Sequence, residues 1–189
     1  RDKGWTRQPH WGRRSYAFLA PNYRMTELQA AVGLPQIKTV RQTVEKRVAL
    51  GRYLAEQIAG IDGLLPAPVT PGSEHSCWMV PLRVYGWPVQ RFAEALSKEG
   101  VAASAGYIGE PIYMCMDALS AKKTFGSSTH PFDGCHGARE IEYGIGMCPR
   151  AEEALRHMVT VGINENYADG DIDDMAAAIR KVAELLPRA

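Results

Sequence analysis

The sequence predicts an α+β domain in which helices cover a small sheet and a long helix leads into it. Three patterns in its 189 residues indicate this class. Apolar residues recur every three or four positions over 36–58, as on the buried face of a long helix. Residues 78–85 alternate with the two-residue period of a half-buried strand. A second helical stripe over 172–186 closes the chain.

The long helix has both a start signal and a stop signal. Thr26 and Gln29 form a capping-box pattern, which predicts that a helix opens at Glu27. Pro35 predicts a kink or a restart. We therefore expect a connecting helix over 36–63 that is ended by glycines at 60 and 63. The predicted buried stripe consists of Ile37, Val40, Val44, Val48, Gly51, Leu54 and Ile58.

The remaining elements are short. The connector over 64–74 holds three prolines, which favours irregular structure. In the strand over 78–85, Val80, Leu82 and Val84 share one face, and Pro81 predicts a position at the edge of the sheet. The other predicted elements are a helix over 88–100, a strand over 101–105, helical turns within 113–122 of an otherwise irregular stretch 106–149, and a strand over 159–163.

Charge and hydropathy exclude several classes of function. Lys and Arg total 22 against 21 Asp and Glu, a formal charge of +1, so no strong field favours nucleic acid or an anionic membrane. A neutral or small anionic ligand is the better expectation. Apolar runs are too short for a spanning helix or a signal peptide, which predicts a soluble cytoplasmic protein. The chain opens at Arg1, so we expect it to begin inside a longer reading frame.

Self-contained catalytic and metal signatures are missing from the sequence. It has no G-x-S-x-G, H-E-x-x-H or phosphate-loop motif. His130, Cys135 and His136 lie close together, but their spacing matches no zinc pattern. We therefore predict no metal site.

The residues before the long helix suggest an anion site. Asn22 and Arg24 precede a helix start, where free backbone N–H groups and the positive end of the dipole favour a phosphate or a carboxylate. Arg24 could equally pair with Glu27, while Asn22 only turns the chain. The residues alone leave both interpretations open.

A longer motif surrounds this point. The string N-Y-R-M-T-E-L-Q-A-A-V-G-L at 22–34, followed by Gln36-Ile37 and Arg47, resembles the block after the cofactor lysine in the DegT/DnrJ/EryC1/StrS aminotransferases. Residues 75–84, 92–106 and 164–167 resemble later segments of that family. The resemblance implies the small C-terminal domain of a fold-type I enzyme that depends on pyridoxal 5'-phosphate (PLP). It also implies a homodimer that moves an amino group from glutamate or glutamine to a keto sugar or cyclitol, with active sites at the interface.

The resemblance assigns roles to four residues, and the local sequence adds a fifth candidate. Asn22 would reach across the dimer to the PLP phosphate of the neighbouring subunit, and Arg24 would contact an anionic substrate group or brace the loop. The family's aromatic residue, proline and substrate-facing histidine correspond to Tyr107, Pro111 and Tyr113, so a phenol replaces the imidazole. His75, before the strand, is a further candidate for substrate binding. Packing alone could also explain the two tyrosines, and a structural hydrogen bond could explain His75.

The same resemblance places the Schiff-base lysine upstream of the block, and no lysine of this chain has that context. We therefore expect no catalytic residue in this chain, which alone would be inactive. The implied division is 1–35 in the large-domain and dimer region, 36–63 as connecting helix and 64–189 as small domain. Two alternatives remain: a non-catalytic binding or dimerisation module of the same fold, and a PLP-dependent sugar dehydratase.

Overall fold

A computed structural model describes residues 23–124, 126–134 and 141–188. These residues form an α+β structure, which confirms the predicted class. In chain order the elements are α1 (Glu27–Gln57), β1 (Leu64–Pro66), β2 (Met79–Val84), α2 (Val89–Lys98), β3 (Ala103–Ala105), α3 (Asp117–Ser120), α4 (Pro149–Arg156), β4 (Met158–Gly162) and α5 (Asp169–Leu185).

Helix α1 begins where the capping box predicts. The Gln29 side chain accepts from the Thr26 backbone N–H at 2.9 Å, and the Gln29 N–H donates to the Thr26 hydroxyl at 3.2 Å. The helix continues through Pro35 as one element, so the predicted restart is wrong. The Thr39 hydroxyl donates to the Gln36 carbonyl at 3.2 Å, which provides a side-chain hydrogen bond just after the proline.

The chain divides into two compact units, one ending at Thr43 and one beginning at Val44. In the first unit the predicted buried stripe is wrong, since Ile37 is 73% exposed and Val40 is 53% exposed. Val44, at the start of the second unit, is also exposed, whereas Leu54 and Ile58 are fully buried. Periodicity identifies the apolar face of a helix, but burial also requires a surface that packs on that face.

The second unit holds a four-stranded antiparallel sheet in the order β1-β2-β4-β3. Val80 lies opposite Val161, and Leu82 lies opposite Val159 and Pro66. The alternation predicted for β2 is confirmed, because Val80, Leu82 and Val84 are buried.

The position predicted for Pro81 is wrong, since β2 lies in the centre of the sheet. In an antiparallel ladder, alternate residues bond to opposite neighbours. Val84 donates towards β4, to His157, so Pro81 faces the β1 side. There β1 has already ended at Pro66, and the Pro81 carbonyl accepts from the Ala67 N–H at 2.9 Å. The missing N–H of Pro81 therefore falls beyond the end of β1 and removes no ladder bond.

Two short elements escaped prediction. The connector begins with β1, because Leu64 is buried and its register with Val84 compensates for the low strand propensity of Pro66. Helix α4 has only eight residues and is predominantly polar, and Glu152 is its buried residue. The predicted helical turns within 113–122 correspond to turns and to α3.

Helices α1, α2 and α5 supply the core on one face of the sheet. Phe92 of α2 is fully buried, and the Trp87 ring lies 5.3 Å from it. Each large apolar side chain buried in this way contributes about 1.5–3 kcal/mol. Among the described residues, the largest fully buried side chains are those of Leu54, Ile58, Leu82, Val84, Phe92, Leu96, Val159, Val161, Ile172 and Ile179.

Within the described ranges, no helix is long and apolar enough to span a membrane.

Candidate functional site

The segment after β3, residues 106–116, holds two of the predicted site residues. It begins with a tight turn in which the Gly106 N–H donates to the Met158 carbonyl at 2.7 Å and the Gly109 N–H to the Gly106 carbonyl at 2.8 Å. Gly106 has φ +66, and a Cβ there would lie 3.2 Å from the Leu155 carbonyl oxygen. Only glycine fits this approach without displacing the backbone.

Tyr107 is held in an unusual conformation directly after that glycine. Its φ is +57, a left-handed value that costs a non-glycine residue energy, and its side chain is 51% exposed. The turn thus presents an aromatic ring with a phenolic hydroxyl on the surface. This arrangement is compatible with the predicted contact to a substrate, which stays a prediction.

Tyr113 faces a polar group inside the protein. Its hydroxyl donates to Glu152 Oε1 at 3.0 Å. The same oxygen accepts from the backbone N–H of Gly146 at 2.8 Å and from that of Cys148 at 3.3 Å. We call these four residues the Glu152 cluster. Since a phenol has one proton to donate, the Tyr113 hydroxyl can offer a ligand only its acceptor lone pairs while this bond persists.

The electrostatics of the cluster favour the ionised carboxylate. Burial by itself raises the pKa of Glu152, but the hydrogen bonds from Tyr113, Gly146 and Cys148 outweigh burial and hold the pKa below its ordinary value. Burial and then the bond to Glu152 raise the pKa of Tyr113 to about 12. At neutral pH the cluster therefore consists of a neutral phenol that donates to a charged carboxylate.

His75 lies in a different place, at a cleft of about 290 Å³ beside the start of β2. Its apolar lining comes from α1, the 66–69 connector and β2, and Arg52 and Glu74 form an ion pair at its rim. His75 Nδ1 accepts from the Cys77 N–H at 3.0 Å, so the neutral ring carries its proton on Nε2. Burial raises the pKa of the Cys77 thiol, which disfavours the reactive thiolate.

Asn22, predicted to bind PLP, and Arg24, predicted to contact an anionic substrate group or brace the loop, both lie before α1. Asn22 falls outside the described residues. Arg24 is exposed in the coil before the helix, and Thr26 and Gln29 follow it with their N–H groups already used in the capping box. Fewer helix amides are thus available to an anion than the sequence argument assumed.

The structure therefore groups Tyr107 and Tyr113 in one segment and places His75 in a separate cleft. Sequence reasoning missed Glu152. The signal available was an acid three residues after Pro149 at a helix start, a pattern that usually needs no functional explanation. Its burial and its three donors become visible only when residues 113, 146 and 148 are brought together around residue 152.

Comparison with known proteins gives these features a context. Residues 1–129 match the model of the DegT/DnrJ/EryC1/StrS aminotransferase family. The uncharacterized protein MJ1066 of Methanocaldococcus jannaschii is 22% identical over 164 residues, which cover 85% of this chain and 37% of that protein.

Solved structures show the same fold at low identity. DesV of S. venezuelae, solved in complex with a ketimine intermediate, superimposes with a TM-score of 0.72 at 18% identity, covering 96% of this chain and 42% of DesV. The sugar aminotransferase CalS13 of Micromonospora echinospora gives 0.64 at 19% identity, covering 95% of this chain and 42% of CalS13. The chain thus spans about two fifths of the length of its relatives. Because the family model matches more than half of the sequence, the chain belongs to the DegT/DnrJ/EryC1/StrS aminotransferase family.

Proposed function

We propose that this chain supplies the small domain and connecting helix of a PLP-dependent aminotransferase that moves an amino group from glutamate or glutamine to a keto sugar or cyclitol. The observation that carries the proposal is the family match over 1–129, which contains the 22–34 block at the capped start of α1. The fold shared with DesV and CalS13 supports it.

The described residues do not by themselves form a site for the cofactor. When bound, PLP would supply the electron sink for amino transfer, and it needs an enclosed lysine as anchor. The lysines at 38, 46, 98, 122, 123 and 181 are all exposed. Lys181 is paired with Glu99 at 2.7 Å. We therefore propose that the anchoring lysine is supplied from outside the described residues and that this chain contributes binding groups only.

Those groups divide by role in the proposal. Asn22 contacts the PLP phosphate of the opposite subunit, and Arg24 braces the loop or contacts an anionic substrate group. Tyr107 and Tyr113 belong to the region that recognises the amino acceptor, with His75 as a separate candidate. The exposed apolar side chains of Leu28, Val32 and Ile37 on α1 are compatible with a homodimer interface.

The test uses the full-length protein as its gene encodes it. Purified protein should bind PLP with the visible absorbance of a protein-bound imine, and glutamate or glutamine should convert the cofactor to its aminated form. Nucleotide-linked keto sugars and keto cyclitols should then restore the absorbance and yield an amino product detected by mass spectrometry. A protein that binds no PLP would be a non-catalytic module, and one that removes water from the sugar without adding nitrogen would be a dehydratase. Either result would overturn the proposal.

A further inference from the structure

The 106–116 segment is attached at two points to the α4–β4 region. At its start, Gly106 donates to Met158 and lies close to the Leu155 carbonyl, as described above. Near its end, Tyr113 donates to Glu152 in the first turn of α4. Between these anchors, residues 107–110 and Ile112 are exposed, including the Tyr107 ring. The two anchors thus attach a short surface segment to the α4–β4 region.

Glu152 is the central group of the second anchor. It is only 8% exposed, and its Oε1 atom accepts from one side chain and two backbone amides. The two amides belong to Gly146 and Cys148, in the turn that leads into α4. One carboxylate therefore joins the 106–116 segment, the 144–148 turn and α4. Removing it would leave three donors in need of another partner.

We propose that Glu152 is a positioning residue for the amino-acceptor site: through Tyr113 it holds the 106–116 segment in the shape that presents Tyr107 to the acceptor. This inference rests on the proposed function. It assigns different roles to two tyrosines that the sequence alone does not distinguish. Tyr107, exposed and held at a left-handed φ, contacts the substrate, whereas Tyr113, whose only proton goes to Glu152, acts through the segment.

The experiment compares three variants of the gene-encoded protein. Tyr113→Phe keeps the ring and removes the hydrogen bond, and Glu152→Met keeps the side-chain length and removes the acceptor oxygens. Glu153→Met is the matched control, because the Glu153 carboxylate is 58% exposed on the same helix and pairs with Arg156 and His157. Amino transfer from the donor and amino transfer to the acceptor are measured as separate half-reactions.

The first two variants should raise KM for the acceptor about three- to tenfold, the loss expected for one hydrogen bond, with kcat and the donor half-reaction unchanged. The double variant should be no worse than the more affected single variant, because both remove the same contact. Glu153→Met should match the unsubstituted protein. A purely structural role would instead lower both half-reactions together, and that result would overturn the proposal.

Two further outcomes are decisive. An effect of Tyr113→Phe without an effect of Glu152→Met would mean that Tyr113 touches the acceptor itself, which overturns the positioning role. Hydrogen exchange of peptides covering 106–116 should accelerate in Tyr113→Phe, and unchanged protection would overturn the anchor. If the unsubstituted protein transfers no amino group, the proposed function fails and the acceptor role fails with it, whereas exchange still reports on the anchor.

Discussion

Helix α1 packs closely against the chain that precedes β2, and this packing predicts that one Gly→Ala substitution destabilises the protein although it raises helix propensity. Gly51 lies inside α1, where Gly→Ala normally stabilises a helix by about 0.5–1 kcal/mol. However, a Cβ at Gly51 would lie 2.5 Å from Cys77 Sγ and 2.9 Å from Cys77 Cβ. Overpacking of this kind costs about 1–3 kcal/mol. Because Cys77 is buried at φ +50, it has little freedom to move away.

Subtracting the gain in helix propensity from the overpacking cost gives a net destabilisation of the second unit by Gly51→Ala of about 0–2.5 kcal/mol. We expect the upper part of that range, about 1–2.5 kcal/mol, because the added Cβ would approach Cys77 Sγ to 2.5 Å. In a chain of this size that lowers Tm by roughly 2–10 °C. Thermal and urea unfolding followed by circular dichroism measure the change. The matched control is Gly170→Ala in the first turn of α5, where an added Cβ meets nothing within 4 Å. The control should be neutral or stabilising by up to about 1 kcal/mol.

A double-mutant cycle tests the cause. Cys77→Gly removes both clashing atoms and suits the left-handed φ, so Gly51→Ala should cost little in that background. If Gly51→Ala is as stable as Gly170→Ala in the otherwise unsubstituted chain, the close approach of α1 to Cys77 is refuted. If the cost persists in the Cys77→Gly background, the reasoning about its source is refuted.

Three further predictions concern separate parts of the molecule. The Glu165 backbone N–H, and then Arg47, lower the pKa of the Glu165 carboxyl below its ordinary value of 4.5, so the ionised carboxylate stabilises the fold above pH 4.5 and this stabilisation is lost as pH falls through the lowered pKa. Glu165→Gln should therefore reduce the fall of Tm at acid pH, and an unchanged fall would contradict this. Phe92→Ala should lower the free energy of unfolding by about 3–5 kcal/mol, measured by urea unfolding, because the Phe92 ring is fully buried. Arg91→Ala is the control at an exposed site, and an equally small loss in both variants would argue against the core described. Asn22→Ala should weaken PLP binding about ten- to a hundredfold, the effect of losing one charge-assisted hydrogen bond. Mixing Asn22→Ala subunits with subunits that lack the anchoring lysine should restore activity, and no recovery in confirmed heterodimers would exclude a contact across the interface.

The candidate site was only partly accessible to sequence reasoning. Tyr107 and Tyr113 were identified as a pair by resemblance, but their different environments were not. Tyr113 meets Glu152 across 39 residues of sequence, a contact that no local pattern encodes. The sequence identifies His75 as a separate candidate before the strand, but only the fold shows the cleft that it lines at the start of β2.

Features with a local physical cause were determined by the sequence itself. The start of α1 follows from side chains three residues apart, the buried face of β2 from alternation, and the α5 stripe from helical periodicity. Features that depend on a neighbour were decided only by the tertiary structure. Pro81 is tolerated in a central strand because β1 ends at Pro66, before the position that would pair with the N–H that proline lacks. The apolar stripe on α1 is buried only where the helix packs on the sheet. A residue's own chemistry fixes its local conformation, whereas burial and partnership belong to whatever the fold places opposite it.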